Sequence, residues 1–507
     1  MSRVAVAAGS QIAADAGVAA AANGGNAVDA AIAGALASMC TEPGIIALGA
    51  GAFITISPPD GDPAVIDAYV EMPGRGAPDD RRGGGAWEVH LEYGGGITTL
   101  VGHGTVATPG AIAGFGVAAE RFGAVDWAEL VAPARHWAEH GFPMPAASAE
   151  YLGHSHELVF GWHPESHRAL HHADGTPLRV GETVRCTGLD DTLAILADEG
   201  PDAFYGGTIG RRMADDILAN GGLLGPADLT AYEPTTRSPL ELAIGDWTFL
   251  TNPGPAIGGA AVAAFLSLIL DVDGWHGDDV ARIAAALDAV LFFRREQYDH
   301  TSERGGAVDT LMALADGGDP RRLLSAPSTI HVSAVDVDGL ACSISASSGY
   351  GSGAVVPGAG VWLNNSLGET DLLHTGLHAE PPGTRLPSNM APSIARRDDG
   401  AVIAIGSPGA SRITSAVAQV VFNHLRLGMP LREAIAHPRL HVEQFDGAPT
   451  LAHEPGIDVE KVHGLTPRPF DSIAMYFGGT QAAVWDPDTG LDAVADPRRS
   501  GGTAFGG

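Results

Sequence analysis

The stretch Ser328-Thr329-Ile330-His331-Val332-Ser333-Ala334-Val335-Asp336 decides how this chain folds. Thr329–Val335 and Leu340-Ala-Cys-Ser-Ile-Ser345 flank the turn residues Asp336-Val-Asp-Gly339, a pattern that predicts two strands joined as a hairpin in mid-chain. The first strand opens on a threonine. A threonine hydroxyl alone is a weak nucleophile and needs a base. Were the bond before Thr329 cut, the new α-amine, with an ordinary pKa near about 8, would sit beside that hydroxyl and serve as its base. The pattern by itself leaves the cut open.

Working outward, strands are expected at Ala401–Ile405 and Gln481–Trp485, with a helix over Ile413–Leu427 between them. Upstream, Ala52–Ser57 and Ala64–Val70 read as a hairpin around Pro58-Pro-Asp-Gly-Asp-Pro63. The Ala-rich run Gln11–Ala22 is a helix stopped by Asn23-Gly24-Gly25. A second helix starts at Asn26, its N-cap, and its small apolar run Ala27–Met39 predicts burial on most faces. The middle is mostly helical, with Trp127–His140, Thr208–Leu218 and Gly258–His300 as the clearest segments. The Gly-rich tail after Arg498 is expected to be loose.

Composition bounds the function. The 507 residues carry 29 Lys+Arg against 60 Asp+Glu, a formal net charge of −31, and the lone lysine is Lys461. Nucleic-acid and anionic-membrane surfaces need clustered basic residues and are excluded as partners. No run approaches the ~20 consecutive apolar residues of a membrane helix. The start of the chain lacks a signal-peptide pattern, since Gly9, Ser10, Gln11 and Asp15 interrupt it. Cys40, Cys186 and Cys342 lie far apart without CxxC spacing. Together these features predict a soluble, cytoplasmic protein.

Phosphate-loop, dinucleotide, HExxH and GxSxG motifs are absent. What remains is a series of short segments in one order: Gly24-Gly-Asn-Ala-Val-Asp-Ala-Ala31, Thr41-Glu-Pro-Gly44, Gly49-Ala-Gly-Ala-Phe53, Ala107-Thr-Pro-Gly110, Gly221-Gly-Leu-Leu224, Asp228-Leu-Thr-Ala-Tyr232 and Pro255-Ala-Ile-Gly-Gly259. They are followed by Thr329–Asp336, Gly351-Ser-Gly353, Leu363-Asn-Asn365, Asn389-Met-Ala-Pro392 and Gly406-Ser-Pro-Gly-Ala-Ser-Arg412. In this series the chain resembles the γ-glutamyltransferase family of N-terminal-nucleophile (Ntn) hydrolases, nearly end to end.

The resemblance implies an α+β fold, a four-layer αββα sandwich, built from a proenzyme that cuts itself between Ser328 and Thr329. Residues 1–328 would form a large subunit and 329–507 a small one, the two staying associated, with a higher oligomer of this heterodimer allowed. Thr329 would be the nucleophile, since Thr329-Ile-His331 matches the family's Thr-x-His. Ser347, eighteen positions on, would hold the nucleophile and its amine. Gly409 and Ala410 match the oxyanion donors, where backbone N–H groups must approach the substrate closely. No cofactor or metal is implied. The partners expected are a small-molecule acyl donor and water or an amine as acceptor.

The departures fall on the donor's distal end. Where glutathione-cleaving members have an arginine that forks onto the donor carboxylate, this chain has Val70, and valine makes no such contact. The paired serines become Ser388-Asn389, and the amine-holding Gln and Asp become Ser366 and Glu369. Arg75 could reach in from nearby. The His-, Gly- and Pro-rich segment between Glu369 and Ser388 reads as a lid or as an ordinary surface loop.

The leading expectation is therefore a Ntn-type hydrolase or acyltransferase acting on a γ-glutamyl or related acyl amide, with a donor other than glutathione. An oxamate- or oxalyl-type amidohydrolase or a C–C bond hydrolase is the alternative, because a small dicarbonyl substrate fits loss of the amino-acid clamp. A non-catalytic binding protein on the same scaffold is the alternative of another class. A metal hydrolase using His154, His156, His163, His167, His171 and His172 ranks last, as their spacing matches no standard motif. Asp29 and Glu71 read as cap or salt-bridge carboxylates rather than an acid–base pair.

Overall fold

The computed structural model describes residues 3–93, 96–317, 329–370, 372–373, 375–443 and 449–507. The first half supplies β1 (Val4–Ala8), α1 (Gln11–Ala22), α2 (Ala27–Thr41), β2 (Gly51–Ser57), β3 (Ala64–Ala68), β4 (Thr235–Arg237), β5 (Leu240–Ile244), β6 (Trp247–Thr251), α3 (Gly258–Ile269) and α4 (Asp278–Phe293). The second supplies β7 (Ile330–Asp336), β8 (Ala341–Ser347), β9 (Ser393–Arg397), β10 (Val402–Gly406), α5 (Arg412–Val421), β11 (Gln481–Asp486), β12 (Gly490–Ala495) and β13 (Gly502–Gly506). A seven-stranded sheet runs β13-β1-β7-β8-β2-β3-β4 and a six-stranded one β12-β11-β10-β9-β6-β5. Neighbouring strands in both are antiparallel.

Strand alternation sorts the side chains into layers. Ile54, Val332, Ala334 and Ile344 face outward into a core shared with α1 and α2. Ile403 and Ile405 face the opposite way into a core with α3, α4 and α5. Ala5, Ala7, Val335, Ala341, Val402 and Ala404 meet between the sheets. This is the αββα sandwich. Helix α2 is buried along its whole length, as its small residues require, and opens on a capping box between Asn26 and Asp29. Among the described residues no helix is long and apolar enough to cross a membrane.

One expectation fails at the C-terminus. The tail after Arg498 is an ordered edge strand, with Gly502–Gly506 pairing along the full length of Val4–Ala8. Its glycines suggested looseness, yet the backbone needs no side chain to complete the open edge of β1, and the N–H and C=O groups there are satisfied by the tail. Gln11 adds a bond from its Nε2 to the Thr503 carbonyl at 3.1 Å. Removing residues 502–507 is therefore expected to lower the thermal midpoint of the protein, as measured by circular dichroism. An unchanged midpoint would mean that the tail contributes nothing.

Candidate active site

Four strands deliver the first part of the site in one row. Ile330 pairs with Ala346, so the same register carried one residue further sets Thr329 opposite Ser347. Ser347 pairs with Gly51, and the pairing of Ala52 with Ala68 sets Gly51 opposite Tyr69. Thr329, Ser347, Gly51 and Tyr69 thus share a level and a face, the face that looks into the space between the sheets. Gly51 must lack a side chain: a Cβ would stand 2.8 Å from the Tyr69 ring and 2.7 Å from the Val70 nitrogen. The Tyr69 ring stacks on Phe53 with centroids 5.6 Å apart. Thr329 is buried. The bond proposed for cutting involves Ser328, which lies outside the described residues.

The two sheets meet at His331. Its Nδ1 lies 2.8 Å from Ser345 Oγ and its Nε2 2.8 Å from Ser333 Oγ, so both ring nitrogens are engaged inside the sandwich. Gly406, the last residue of β10, packs flat on this ring, where a Cβ would come 2.3 Å from Cε1. Ser343, level with Ser333, donates to the Ile405 carbonyl at 3.1 Å. The facing strand therefore lies beside Ser343 at Ile405 and on the His331 ring at Gly406, and it runs on into Ser407–Ser411, where Gly409 packs against Gly478. This is the loop that carries Gly409 and Ala410. Ala410 has φ 66° and Gly409 φ 131°, and a left-handed non-glycine residue is a strained backbone of the kind that clusters at functional sites. Among the described residues, the N–H groups of Gly409 and Ala410 donate to nothing. The loop then enters α5, so its free N–H groups lie at a helix start.

The donor-end residues converge on Tyr69. Its phenol lies against Ser366 and Ser388; burial first, and the Glu369 charge second, hold it well above its usual pKa, so it stays a neutral hydroxyl. The Glu369 carboxylate packs over Gly349, whose N–H donates to Ser347 Oγ at 3.1 Å. Ser366, Glu369, Ser388 and Ser347 are thereby brought together. Val70 is fully buried in an apolar cluster with Phe53, Met72, Ala256, Leu386 and Met390. Arg75 is held elsewhere: its Nη2 bonds Glu71 at 3.0 Å and its Nη1 lies 3.6 Å from Asp228. Asn389 is engaged by a different arginine, Arg294, whose Nη1 donates to its Oδ1.

Reading the residues in sequence missed Tyr69, Arg294 and His378. The signal for Arg294 was a charge at the end of the apolar run Val290-Leu-Phe-Phe293, where a buried helix should continue apolar. His378 is buried, with Nε2 2.7 Å from the Gly104 carbonyl and the Gly83 N–H donating to Nδ1 at 2.9 Å. Two residues on, Glu380 pairs with the buried Arg304. These contacts tie down the described part of the segment between Glu369 and Ser388, whose positions 371 and 374 lie outside the described residues.

The remaining candidates fall outside this constellation. His156 and His171 face each other at 3.1 Å, and His172 bonds Glu182 at 3.0 Å. Among the described residues no three ligating side chains converge. The three cysteines are free and buried. Asp29 caps α2, and Glu71 bridges Arg75 and Arg385.

Burial keeps the His331 ring neutral, its pKa lowered from 6.5 to about 3. Below its ordinary value the unfolded chain takes up a proton at this residue that the folded chain refuses, so the stability contributed is complete above about pH 6.5 and is lost as the pH falls toward about 3. Thermal melts taken at falling pH through that window are expected to show a declining midpoint for the wild type and a shallower decline for His331→Asn. Equal slopes would contradict the buried neutral ring.

Comparison with known proteins agrees with this architecture. A family model described as Gamma-glutamyltranspeptidase matches residues 13–282 and 321–506. The glutathione hydrolase proenzyme of Escherichia coli strain K12 is 29% identical over 523 residues, covering 94% of this chain and 87% of the relative. The glutathione hydrolase 5 proenzyme of Mus musculus is 30% identical, with 98% and 92% covered. The acylase ACY 1 proenzyme of Pseudomonas sp. strain V22 is 28% identical, with 94% and 89% covered. Cephalosporin acylase from Bacillus halodurans shares the fold with a TM-score of 0.79 over 99% of this chain and 96% of that one, at 23% identity. The αββα sandwich is thus the Ntn-hydrolase fold, and the chain, an enzyme of the hydrolase and transferase class, belongs to the gamma-glutamyltranspeptidase family.

Proposed function

We propose that the chain is a self-cleaving Ntn hydrolase or acyltransferase in which Thr329 attacks an amide carbonyl, and that its donor is not glutathione. The single observation that carries this reading is the strand register that sets Thr329 opposite Ser347, beside a His331 ring on which Gly406 packs at the start of the segment leading to Gly409 and Ala410. The proenzyme relatives support a chain that is cut once, here before Thr329, into residues 1–328 and 329–507.

In this reading hydrolysis of the Ser328–Thr329 bond frees an α-amine on Thr329. That amine takes the hydroxyl proton as the Oγ attacks the donor carbonyl. The N–H groups of Gly409 and Ala410 receive the tetrahedral oxyanion, a role in which losing one donor typically costs about 2.7–4 kcal/mol. The protonated amine returns its proton to the departing amine, leaving an acyl ester on Thr329. Water or an acceptor amine attacks that ester and regenerates the enzyme. Ser347, opposite Thr329, holds the hydroxyl and amine in line. His331 is a structural neighbour, since both its nitrogens are engaged by serines.

The donor end supports a specificity unlike that of glutathione-cleaving relatives. Val70 offers no charge, Arg75 is neutralised by Glu71 and Asp228, and the Tyr69 phenol is buried against Ser366 and Ser388. The crowding at Tyr69 favours a short acyl group, which keeps an oxalyl-type amide as the second reading. A cytoplasmic location belongs to the same proposal and is checked by cell fractionation.

On a denaturing gel the purified protein should run as two fragments in a mass ratio of roughly 2:1, and Thr329→Ala should leave one uncut chain. A wild-type chain that stays intact and inactive would favour a binding protein instead. Turnover of γ-glutamyl-p-nitroanilide should be slow relative to the E. coli relative measured in parallel; equal efficiency would overturn the altered-donor part.

A further inference from the structure

The free N–H groups of Gly409 and Ala410 depend on a strained backbone. Ala410, at φ 66°, is left-handed, and an alanine persists there only where its surroundings impose that conformation. The Arg412 and Ile413 N–H groups close the turn on the Gly409 and Ala410 carbonyls at 3.0 and 3.2 Å. Gly409 packs on Gly478, where a Cβ would stand 2.9 Å from the Gly478 Cα, and Arg412 Nε donates to the Tyr476 carbonyl at 3.0 Å. Between these points lies Ser411, which is buried. Among the described residues its hydroxyl meets one partner, the Nε2 of His441, at 3.4 Å.

His441 belongs to the strand Leu440–Glu443 and is 1% exposed. Its Nδ1 lies 3.0 Å from Ser415 Oγ, one turn into α5. The contacts assign the protons. Ser415 donates its own hydrogen to the Arg412 carbonyl at 3.2 Å, so its oxygen is left to accept and Nδ1 carries the ring proton. Nε2 is then the bare nitrogen, and it accepts from the Ser411 hydroxyl. Burial first, and the Arg412 charge second, hold the ring well below its ordinary pKa, which preserves that acceptor. The strand cannot slip along α5 either: Gln419 donates from Nε2 to the Leu440 carbonyl at 2.9 Å and receives the Leu440 N–H on Oε1 at 3.1 Å. His331 makes the contrast, since both its serine partners lie within its own sheet, whereas those of His441 lie at the junction of loop and helix.

We infer that His441 is a positioning residue for the reaction: as a hydrogen-bond acceptor it holds Ser411, and through Ser411 it keeps Ala410 left-handed, with the Gly409 and Ala410 N–H groups unspent. The inference rests on the proposed role of those N–H groups as oxyanion donors. Such donors act by being in place before charge develops, so a residue that fixes them serves the transition state and leaves the binding of the donor substrate alone.

The test compares wild type, His441→Leu, His441→Gln, Ser411→Ala and the double variant Ser411→Ala/His441→Leu. Kinetics use whichever of γ-glutamyl-p-nitroanilide and N-(4-nitrophenyl)oxamic acid the wild type turns over faster. His441→Leu and Ser411→Ala should each lower kcat about ten-fold or more with KM within about two-fold. The double variant should be no worse than the poorer single one, because the two side chains act as one unit. His441→Gln, whose Oε1 reaches the position of Nε2 and keeps an acceptor there, should recover most of kcat. Raised KM at unchanged kcat, additive losses in the double variant, or a glutamine no better than leucine overturns the inference. A crystal structure of His441→Leu gives a readout that needs no turnover, and Ser411→Ala stands in if that variant does not fold. Ala410 should leave the left-handed region, and an unchanged Ala410 overturns the inference whatever the kinetics. A wild-type chain that is never cut at Thr329 defeats the underlying reading instead, while the crystal structure still decides what His441 holds.

Discussion

The contact between the His331 imidazole and Gly406 is the constraint on which the site depends. Thr329 and the Gly409-Ala410 loop belong to different sheets, and sheets that merely pack on apolar side chains can slide. Here a polar ring is locked by Ser333 and Ser345 from its own sheet and lies flat on the one residue of the facing strand that has no Cβ. Any side chain at 406 would press the sheets apart or turn the ring out of its two hydrogen bonds. The strand that leads into the Gly409-Ala410 loop is fixed on the sheet that carries Thr329 by a buried histidine that takes no part in the proposed chemistry.

That interface is unusual in its polarity. Six hydroxyl or imidazole side chains, Thr329, His331, Ser333, Ser343, Ser345 and Ser347, line the inner face of two adjacent strands, all buried. Buried hydroxyls are tolerated where they find partners, and Ser333 and Ser343 donate across the gap to the carbonyls of Gln481 and Ile405. The inter-sheet space is therefore held by directional bonds where the outer cores are held by packing, which suits a region that must place reacting atoms within fractions of an ångström.

Much of this was legible in the sequence. The hairpins around Asp336–Gly339 and Pro58–Pro63, helix Gln11–Ala22 and the Asn26 cap follow from local patterns, and local patterns are what a sequence displays. The site was legible only through the order of short glycine-rich segments, because the contacts that build it join residues hundreds of positions apart. The tail misled because glycine reads as freedom when its neighbours are unknown, and only the open edge of Val4–Ala8 makes it a strand. Tyr69 and Arg294 were invisible for the same reason. Tyr69 looked like one aromatic in an apolar run, and Arg294 like one more scattered arginine in a chain of net charge −31. Against so acidic a background the burial of one arginine shows only in three dimensions.

The central claim is that an acyl group passes through the Oγ of Thr329. It is tested most directly by acid-quenching the enzyme during turnover of an amide donor and measuring the masses of the separated chains and their peptides. The account predicts added mass equal to the acyl group on the peptide that begins with Thr329, absent from the uncut Thr329→Ala protein. Acyl mass on another residue, or turnover by Thr329→Ala at the wild-type rate, would contradict it.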